Sequence, residues 1–426
     1  MKKVLIITYY WPPAGGPGVQ RWLKFVKYLR EYQIEPIVYI PENPEYPILD
    51  RSLNCEVPEK ITILKNKIFE PYGLAKLFSK KHTSIISSGI IADSKKQNLL
   101  QKLFLYIRGN FFIPDARKFW VKPSVEFISD YISKHDINTI ITTGPPHSLH
   151  LIGLGLKQKH RIKWIADFRD PWTQIGYHEK LRLTNSSREK HLKLEKKVLS
   201  EANHIITTSF TTKAEFEKKT SRPIMVITNG YDGLNQSEVP LDLHFTFSHI
   251  GSLLSGRDPK NLWQVLGELA AENPNFSRNL KIKLVGAVSD EVVLSIKEFG
   301  LGNHLEISGY VPHKEALKIQ QSAQVLLLIE INSEETKGII PGKLFEYMAA
   351  KRPILAVGPP EWDVEKILKE TSAGSCFKYD ERENLKVQIL SYYELFIQGK
   401  LKSESKNIEK YSRRNLTGNL AQLLTE

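Results

Sequence analysis

The stretch GIIPGKLFEYMAAKRPILAV, from Gly338 to Val357, decides the fold that this sequence predicts. The apolar run at 325–329 just before it predicts a buried parallel strand. After a polar loop and a Pro-Gly break, residues 343–350 have the apolar spacing of a helix that packs on a sheet. Residues 353–357 then predict the next strand. The stretch therefore predicts a strand–loop–helix–strand unit of an α/β fold.

Two charged side chains, Lys343 and Glu346, lie near the start of the predicted helix. The free N–H groups at a helix N-terminus carry partial positive charge and suit a diphosphate. Lys343 would add a full positive charge, and Glu346 could accept hydrogen bonds from ribose hydroxyls. The unit is therefore a candidate nucleotide site. The alternative is an ordinary amphipathic helix whose Lys and Glu are solvated.

The string PGKLFEYMAAKRPIL, residues 341–355, resembles the donor-binding segment of retaining GT-B glycosyltransferases of family 4. The resemblance implies that Glu346 binds the ribose and that the diphosphate lies above the helix. The donor-binding residues that it implies in this segment are Gly342, Lys343, Leu344 and Glu346. Many members of the family carry an earlier glutamate, and Gly338 stands at that position here. Glu334 or Glu335 could replace it, but the sequence does not show which.

The second half of the chain repeats the strand–loop–helix order of a nucleotide-binding fold. A strand is predicted over 245–250, and Gly251 after it would let the backbone approach a donor. Further along the loop, Arg257 matches the arginine that, by the resemblance, neutralises the leaving diphosphate. The family's companion lysine is absent, so Lys260 or Lys343 would serve instead. The residues that the resemblance places at the nucleotide base are Tyr310 and Val311.

The chain opens with a short strand, the loop YYWPPAGGPG at 9–18 and a helix over 19–29. This order is typical of a nucleotide fold, although Arg21 occupies the third glycine position of a dinucleotide fingerprint. Gly15 and Gly16 are therefore predicted to bring backbone N–H groups close to a phosphate or sugar of the donor. A purely structural tight turn is the alternative.

Two further loops follow predicted strands in the first half, GPPHS at 144–148 and DFRDPW at 167–172. Open α/β sheets bind ligands at the carboxyl ends of their strands, so His147 is a candidate catalytic residue. A structural histidine is the alternative. Both loops also resemble the acceptor side of a bacterial subset of the family. The acceptor-side candidates are Arg169, Asp170 and Trp172.

Positive charge is concentrated in the first half of the chain. Residues 1–235 carry 37 Lys and Arg against 22 Asp and Glu, a net charge of +15, whereas the remainder carries 23 against 25. This imbalance indicates an anionic partner: an anionic membrane surface, a lipid-phosphate acceptor or a nucleic acid. A solvated basic surface is the alternative. Within this half, residues 65–118 mix apolar and basic runs, which predicts either a membrane-interface segment or a helical hairpin packed on the core.

The length of 426 residues predicts two domains. We place an acceptor-side domain at 1–235, a donor-binding domain at 236–403 and a last segment at 404–426. The last segment is predicted to be helical over 404–424. The resemblance implies that it crosses back to the first domain. The two cysteines lie too far apart in sequence for a disulfide framework or a metal cluster. No apolar run reaches membrane-spanning length. We expect a cytoplasmic protein, with peripheral contact to the inner face of the membrane if its partner is a bilayer.

Two nucleotide-type α/β domains facing a cleft make the GT-B architecture. The resemblance implies transfer of a sugar from a UDP- or GDP-sugar to the hydroxyl of a glycan or lipid-linked acceptor, with retention, in lipopolysaccharide, capsule or exopolysaccharide assembly. No cofactor is expected, and no Asp-x-Asp pair is placed to hold a metal, so the catalytic candidates are His147, Arg257 and Lys343. One alternative is a nucleotide-sugar 2-epimerase on the same fold, which needs a carboxylate pair. A non-catalytic nucleic-acid-binding protein is another, although no aromatic-interleaved basic motif supports it.

Overall fold

A computed structural model describes residues 1–70, 99–174, 181–233 and 239–426. Contacts divide the chain into two compact units, Met1–Asn229 with Arg413–Glu426, and Gly230–Ser412. The predicted boundary between residues 235 and 236 lies outside the described residues, and so does most of the 65–118 insertion. In the part of the chain that is described, no helix combines the length and apolar character needed to cross a membrane.

The first unit contains a seven-stranded parallel sheet with the order β3-β2-β1-β4-β5-β6-β7. Its strands are β1 (Lys2–Ile7), β2 (Ile34–Pro41), β3 (Thr62–Asn66), β4 (Thr139–Gly144), β5 (Lys163–Phe168), β6 (His204–Thr207) and β7 (Ile224–Val226). Alternate residues of β1 belong to two separate cores, Leu5 and Ile7 to one, Val4 and Ile6 to the other. Because helices cover both faces, residues 4–7 of this strand are all apolar and do not alternate with polar residues.

The helices that cover this sheet begin with α1, which follows the glycine-rich loop. Together they are α1 (Pro17–Leu29), α2 (Leu99–Phe111), α3 (Lys118–His135), α4 (Ser148–Lys159), α5 (Asn185–Glu201) and α6 (Phe210–Glu217). The order of the strands reverses between β1 and β4, so the loops after these two strands lie at a topological switch point. Ligands of open α/β sheets bind at such a point.

The second unit contains a six-stranded parallel sheet with the order β10-β9-β8-β11-β12-β13. Its strands are β8 (Phe245–Ile250), β9 (Leu280–Val285), β10 (Leu305–Ser308), β11 (Val325–Ile329), β12 (Ile354–Gly358) and β13 (Gly374–Lys378). Its helices are α7 (Lys260–Glu272), α8 (Pro274–Asn279), α9 (Asp290–Glu298), α10 (His313–Ser322), α11 (Lys343–Ala349), α12 (Asp363–Thr371) and α13 (Arg382–Ile397). The strands predicted over 245–250 and 325–329 are confirmed, and they are neighbours at the switch point of this sheet.

The last helix, α14 (Arg413–Thr425), belongs to the first unit and packs on α1. The prediction of a helix over 404–424 is wrong at its start. Residues 404–407 are not helical, because the amide of Lys406 donates to the carbonyl of Thr371 at 2.7 Å and Asn407 adopts a left-handed φ of 53°. A short 3-10 turn over Ile408–Tyr411 separates this segment from α14.

Candidate functional site

Three segments of the second unit meet at the carboxyl ends of β8 and β11. These are the residues around Gly251 after β8, Glu330 after β11, and the start of α11. The hydroxyl of Tyr347 on α11 accepts a hydrogen bond from the amide of Ile250 at 2.9 Å. Because Tyr347 is fully buried, this bond fixes α11 against the end of β8. The predicted unit therefore places Lys343 beside the switch point of the sheet.

The ammonium of Lys343 is held by His249, a fully buried residue of β8. Nζ lies 3.3 Å from Nε2 of the imidazole, whose Nδ1 lies 3.1 Å from the carbonyl oxygen of Leu327. A carbonyl only accepts, so Nδ1 carries the proton and Nε2 accepts from the ammonium. Burial, together with the charge of Lys343, holds the pKa of His249 well below its usual value. His249 is therefore a neutral acceptor that positions Lys343 without offsetting the positive charge of the ammonium.

Gly251 provides the space for this ammonium. A Cβ at this position would lie 2.6 Å from Nζ of Lys343, so the end of the lysine side chain would have to move away from it. The φ angle of Gly251 is 123°, which L side chains rarely adopt. Gly251 is thus required both by its backbone conformation and by the position of Lys343.

Arg257 is held by a carboxylate that the sequence analysis did not identify. Its Nε lies 2.9 Å from Oε1 of Glu330, and its NH2 lies 3.3 Å from Oε2. The carboxylate side chain is 1% exposed, whereas that of the arginine is 30% exposed. Oε1 also accepts from the amide of Ile331 at 2.9 Å. Glu330 therefore orients a guanidinium that still reaches solvent.

The charges around Lys343 favour the binding of an anion. Burial, with the positive charge of Arg257, lowers the pKa of Lys343 to about 8, although Glu330 and Glu346 act in the opposite direction. Among the described residues, Lys343 forms no ion pair within 4.0 Å. A negatively charged ligand would supply the missing counterion. No group of three His, Cys, Asp or Glu side chains in the described ranges could hold a metal ion.

Glu346 lies on another side of α11, next to α10. Its Oε2 accepts from Nε2 of Gln320 at 3.1 Å, and its Oε1 lies 4.0 Å from Nε2 of His313. The side chain is 24% exposed, so its free lone pairs remain accessible to a ligand hydroxyl. This environment is compatible with the predicted contact to a ribose.

The beginning of α11 requires a correction. The side chain of Leu344 is fully buried in the core, and its amide donates to the carbonyl of Pro341 at 3.0 Å. The amide of Phe345 likewise donates to the carbonyl of Gly342 at 3.3 Å. Neither group is free for a donor, and α11 has only seven residues. These contacts disfavour a donor contact by Leu344, which remains a prediction, and cationic side chains would then supply most of the positive charge of this site.

Two other predicted donor residues follow β10, the edge strand of the sheet. Tyr310 is 92% exposed, and Val311 is half-buried. Gly309, just before them, lies beside Gly286, whose amide donates to the carbonyls of Ser308 and Gly309. The backbone of this loop is thus fixed while the Tyr310 ring stays in solvent. The proposed contact to a nucleotide base remains a prediction.

The glycine-rich loop of the first unit is held in place by hydrogen bonds to other residues of the same unit. The amide of Gly15 donates to the carbonyl of Ile48 at 3.0 Å, so this group is already satisfied. Gly16 has a φ of 105° and precedes the first residue of α1. Arg21 pairs with Asp167 at 2.9 Å, and both side chains are buried. These contacts favour the structural alternative for Gly15, whereas Gly16 keeps the conformation that only glycine adopts readily.

The two aromatic candidates of the first unit lie in its core. Trp172 is 1% exposed, and its indole N–H donates to Nδ1 of His191 at 3.1 Å. The ring of His147 stacks on it at a centroid distance of 5.0 Å and is itself buried. Trp172 therefore packs in the core of the first unit, which disfavours an acceptor contact by this residue, and that contact remains a prediction. For His147 the burial favours the structural alternative.

Arg169 and Asp170 extend beyond this core. The guanidinium of Arg169 donates to the carbonyls of Gly144 and Pro145. It also occupies the space where a Cβ of Gly18 would lie, at 1.7 Å from such an atom. Asp170 is exposed. Both side chains therefore remain candidates for contact with an acceptor, close to the beginning of α1.

The comparisons with known proteins place these two units in one architecture. No family model matches the sequence, and no curated protein matches it. Solved structures do match over 100% of this chain. The lipopolysaccharide outer core galactosyltransferase WaaB is 13% identical, with 100% of its chain covered and a TM-score of 0.58. TarM from S. aureus, solved with UDP and α-GlcNAc-glycerol, is 12% identical, with 100% covered and a TM-score of 0.59.

A third match has a different activity. A protein described as a UDP-N-acetylglucosamine 2-epimerase from Listeria monocytogenes is 11% identical, with 96% of its chain covered and a TM-score of 0.56. At these identities the matches establish the fold. Two parallel α/β units with the observed strand orders agree with that fold. The chain therefore has the GT-B glycosyltransferase fold.

Proposed function

We propose that this chain is a family 4-type glycosyltransferase that moves a sugar from a nucleotide-diphosphate sugar to an acceptor hydroxyl with retained configuration. The observation that carries the proposal is the excess positive charge at the switch point of the second unit. Lys343 is held by a neutral histidine, and the paired guanidinium of Arg257 remains partly exposed beside it. Nucleotide folds bind phosphates at this edge. A UDP- or GDP-sugar supplies the anion that this arrangement favours.

The two cations would act on the leaving group. As the bond between sugar and diphosphate breaks, negative charge grows on the phosphate oxygen. A preorganised cation that interacts more strongly with this charge lowers the barrier to turnover. Lys343 and Arg257 are preorganised because His249 and Glu330 hold them before any ligand binds. We propose that they replace a divalent metal in this role, and that Glu346 accepts hydrogen bonds from the ribose.

The acceptor side belongs to the first unit in this proposal. The polar candidates of this side are Arg169, which is half-buried, and Asp170, which is exposed. The excess of basic residues in 1–235 favours an anionic acceptor. WaaB is described as a lipopolysaccharide outer core galactosyltransferase, and TarM was solved in complex with UDP and α-GlcNAc-glycerol. These descriptions support a role in lipopolysaccharide, capsule or exopolysaccharide assembly. The cytoplasmic face of a membrane is the proposed location.

A nucleotide-sugar 2-epimerase is the second candidate, because a solved epimerase shares the fold over the whole chain. It would need a carboxylate free to take a proton from the sugar. Glu330 is engaged with Arg257, which disfavours this role. The test is incubation of the purified protein with radiolabelled UDP- and GDP-sugars, with and without EDTA.

Transfer predicts release of nucleoside diphosphate together with a labelled glycan when an acceptor extract is present. The rate should be unchanged by EDTA, since side-chain cations carry the charge. An isomeric nucleotide sugar, formed without any acceptor, would instead establish the epimerase. Loss of the rate in EDTA and its return with Mn²⁺ or Mg²⁺ would contradict the metal-independent mechanism.

A further inference from the structure

One buried polar side chain of the second unit does not use all of its hydrogen-bonding capacity. Gln320 on α10 is 2% exposed, and its Nε2 donates to Oε2 of Glu346 at 3.1 Å. Its Oε1 is buried and has no hydrogen-bond partner among the described residues. A buried polar atom without a partner costs free energy, so natural proteins contain few of them. A glutamine at this position therefore has a reason other than stability.

An apolar residue would satisfy the packing of α10 at this position. Ala316 and Gln320 are the buried residues of the helix and lie four residues apart, so they share its inward face. The inward face of a surface helix is normally apolar. Gln320 departs from this pattern and brings a hydrogen-bond donor to Glu346 on the neighbouring helix α11. The contact to Glu346 is therefore what distinguishes this glutamine from an apolar packing residue.

The two oxygens of the Glu346 carboxylate have different surroundings. An ionised carboxylate only accepts hydrogen bonds, so the amide of Gln320 must turn its NH2 group toward Oε2. The other oxygen, Oε1, lies 4.0 Å from Nε2 of His313, which is too long for a hydrogen bond. The side chain of Glu346 is 24% exposed, and that of His313 is 56% exposed. One carboxylate oxygen is therefore held from inside the protein, and the other is open to a ligand.

We propose that Gln320 is a positioning residue that presents Glu346 to the ribose of the nucleotide. This inference rests on the proposed function, in which Glu346 accepts hydrogen bonds from ribose hydroxyls. Gln320 is too deeply buried to touch the nucleotide itself. It holds a long, flexible side chain in one conformation before the nucleotide binds, which reduces the entropy lost on binding. The oriented carboxylate then distinguishes a ribose from a deoxyribose.

The test measures the binding of UDP and GDP, and of their 2′-deoxy and 3′-deoxy analogues, to the full chain by isothermal titration. Gln320→Met keeps the unbranched shape and removes the amide, so we expect it to weaken binding of the ribonucleotide by about two- to tenfold. The preference over the deoxy analogue should shrink by the same factor, because the carboxylate is no longer oriented toward the hydroxyl. The melting temperature should stay the same or rise, since the unpartnered oxygen is removed.

Three further variants separate positioning from packing. Gln320→Leu removes the amide with a different shape and should give the same pattern as Gln320→Met. Gln321→Met makes the matched change at the next position of α10, which is half-buried, and should bind as the wild type does. In a Glu346→Ala background, Gln320→Met should cause no further loss of affinity, because Gln320 acts only through Glu346.

The outcomes distinguish this inference from the proposed function. A further loss in the Glu346→Ala background, or an undiminished preference for the ribonucleotide in both Gln320 variants, would overturn the inference and leave the proposed function intact. A lower melting temperature with wild-type affinity would likewise make Gln320 a packing residue. Failure of the wild type to bind either UDP or GDP would overturn the proposed function and this inference with it.

Discussion

The two units contain the same kind of ion pair, an arginine with a carboxylate, in two very different settings. In the first unit, Arg21 and Asp167 are 2% and 0% exposed. The carboxylate of Asp167 also accepts two further hydrogen bonds on Oδ2, from the indole of Trp22 and from the hydroxyl of Thr143. In the second unit, the carboxylate of Glu330 is equally buried, but the guanidinium of Arg257 is 30% exposed.

This difference separates a structural ion pair from a functional one. A fully buried pair whose carboxylate already accepts three hydrogen bonds is closed to a ligand. The pair of Arg21 and Asp167 links α1 to β4, β5 and the carbonyl of Thr228. Arg257, by contrast, is oriented on one side and open on the other. Exposure of the cation, rather than the presence of a salt bridge, therefore indicates where an anion binds.

The largest expected effect is on stability in the first unit. Asp167→Ala leaves the buried charge of Arg21 without a partner, and breaking such a pair costs about 3–5 kcal/mol. We expect this loss in the free energy of unfolding by urea denaturation. Glu330→Gln, measured in the same way, should lose far less, since Arg257 can turn toward water. Equal losses in the two variants would mean that both pairs are structural.

The second effect concerns the ribose contact. Glu346→Ala should weaken the binding of UDP or GDP by roughly 1.5–3 kcal/mol, the range for a hydrogen bond to a charged group. Isothermal titration measures this loss, and the melting temperature should hardly change because the carboxylate is partly exposed. A large drop in melting temperature with unchanged nucleotide affinity would instead make Glu346 structural.

The third effect tests the role of Glu330 in positioning Arg257. Glu330→Gln keeps the shape and one acceptor oxygen but removes the charge that orients the guanidinium. A misplacement of about 1 Å can lower a rate by up to about 10²-fold. We expect kcat to fall by roughly tenfold to a hundredfold, while KM for the donor changes little. Glu330→Asp should recover part of the rate. Wild-type kcat in Glu330→Gln would show that Arg257 needs no carboxylate.

The smallest effect is a pH dependence. Burial lowers the pKa of Lys343 to about 8, so the free enzyme loses this positive charge as the pH rises through that value. We expect kcat/KM to decline above pH 8, by about tenfold for each further pH unit. Lys343→Gln should have a low kcat/KM that stays flat across the same range. A decline that persists in this variant would assign the titration to another group.

The order of elements could be predicted from the sequence. Strands β8 and β11 are short apolar runs bounded by glycine or polar loops, and their predicted limits agree with the structure. Lys343 and Arg257 could be identified because each follows a strand at the edge that binds ligands. Local signals of this kind need no knowledge of distant residues.

The partners of these residues could not be predicted in the same way. Glu330 pairs with Arg257, and His249 holds Lys343, across 73 and 94 residues of sequence. Such contacts depend on the register of neighbouring strands, which no local pattern reveals. A histidine within an apolar strand was the one available signal for His249. The stacking of Trp172 on His147 is likewise a tertiary contact that the sequence does not reveal.

Turnover by Arg257→Ala and Lys343→Ala is the measurement that tests the central claim most directly. If both cations stabilise the departing diphosphate, each variant should lower kcat by about 10²–10³-fold, with smaller changes in KM for the donor. Lys400→Ala, which removes an exposed cation of the second unit that the proposal does not use, serves as the control and should keep kcat close to the wild-type value. Wild-type kcat in both cation variants would contradict the claim, because the diphosphate would then bind elsewhere.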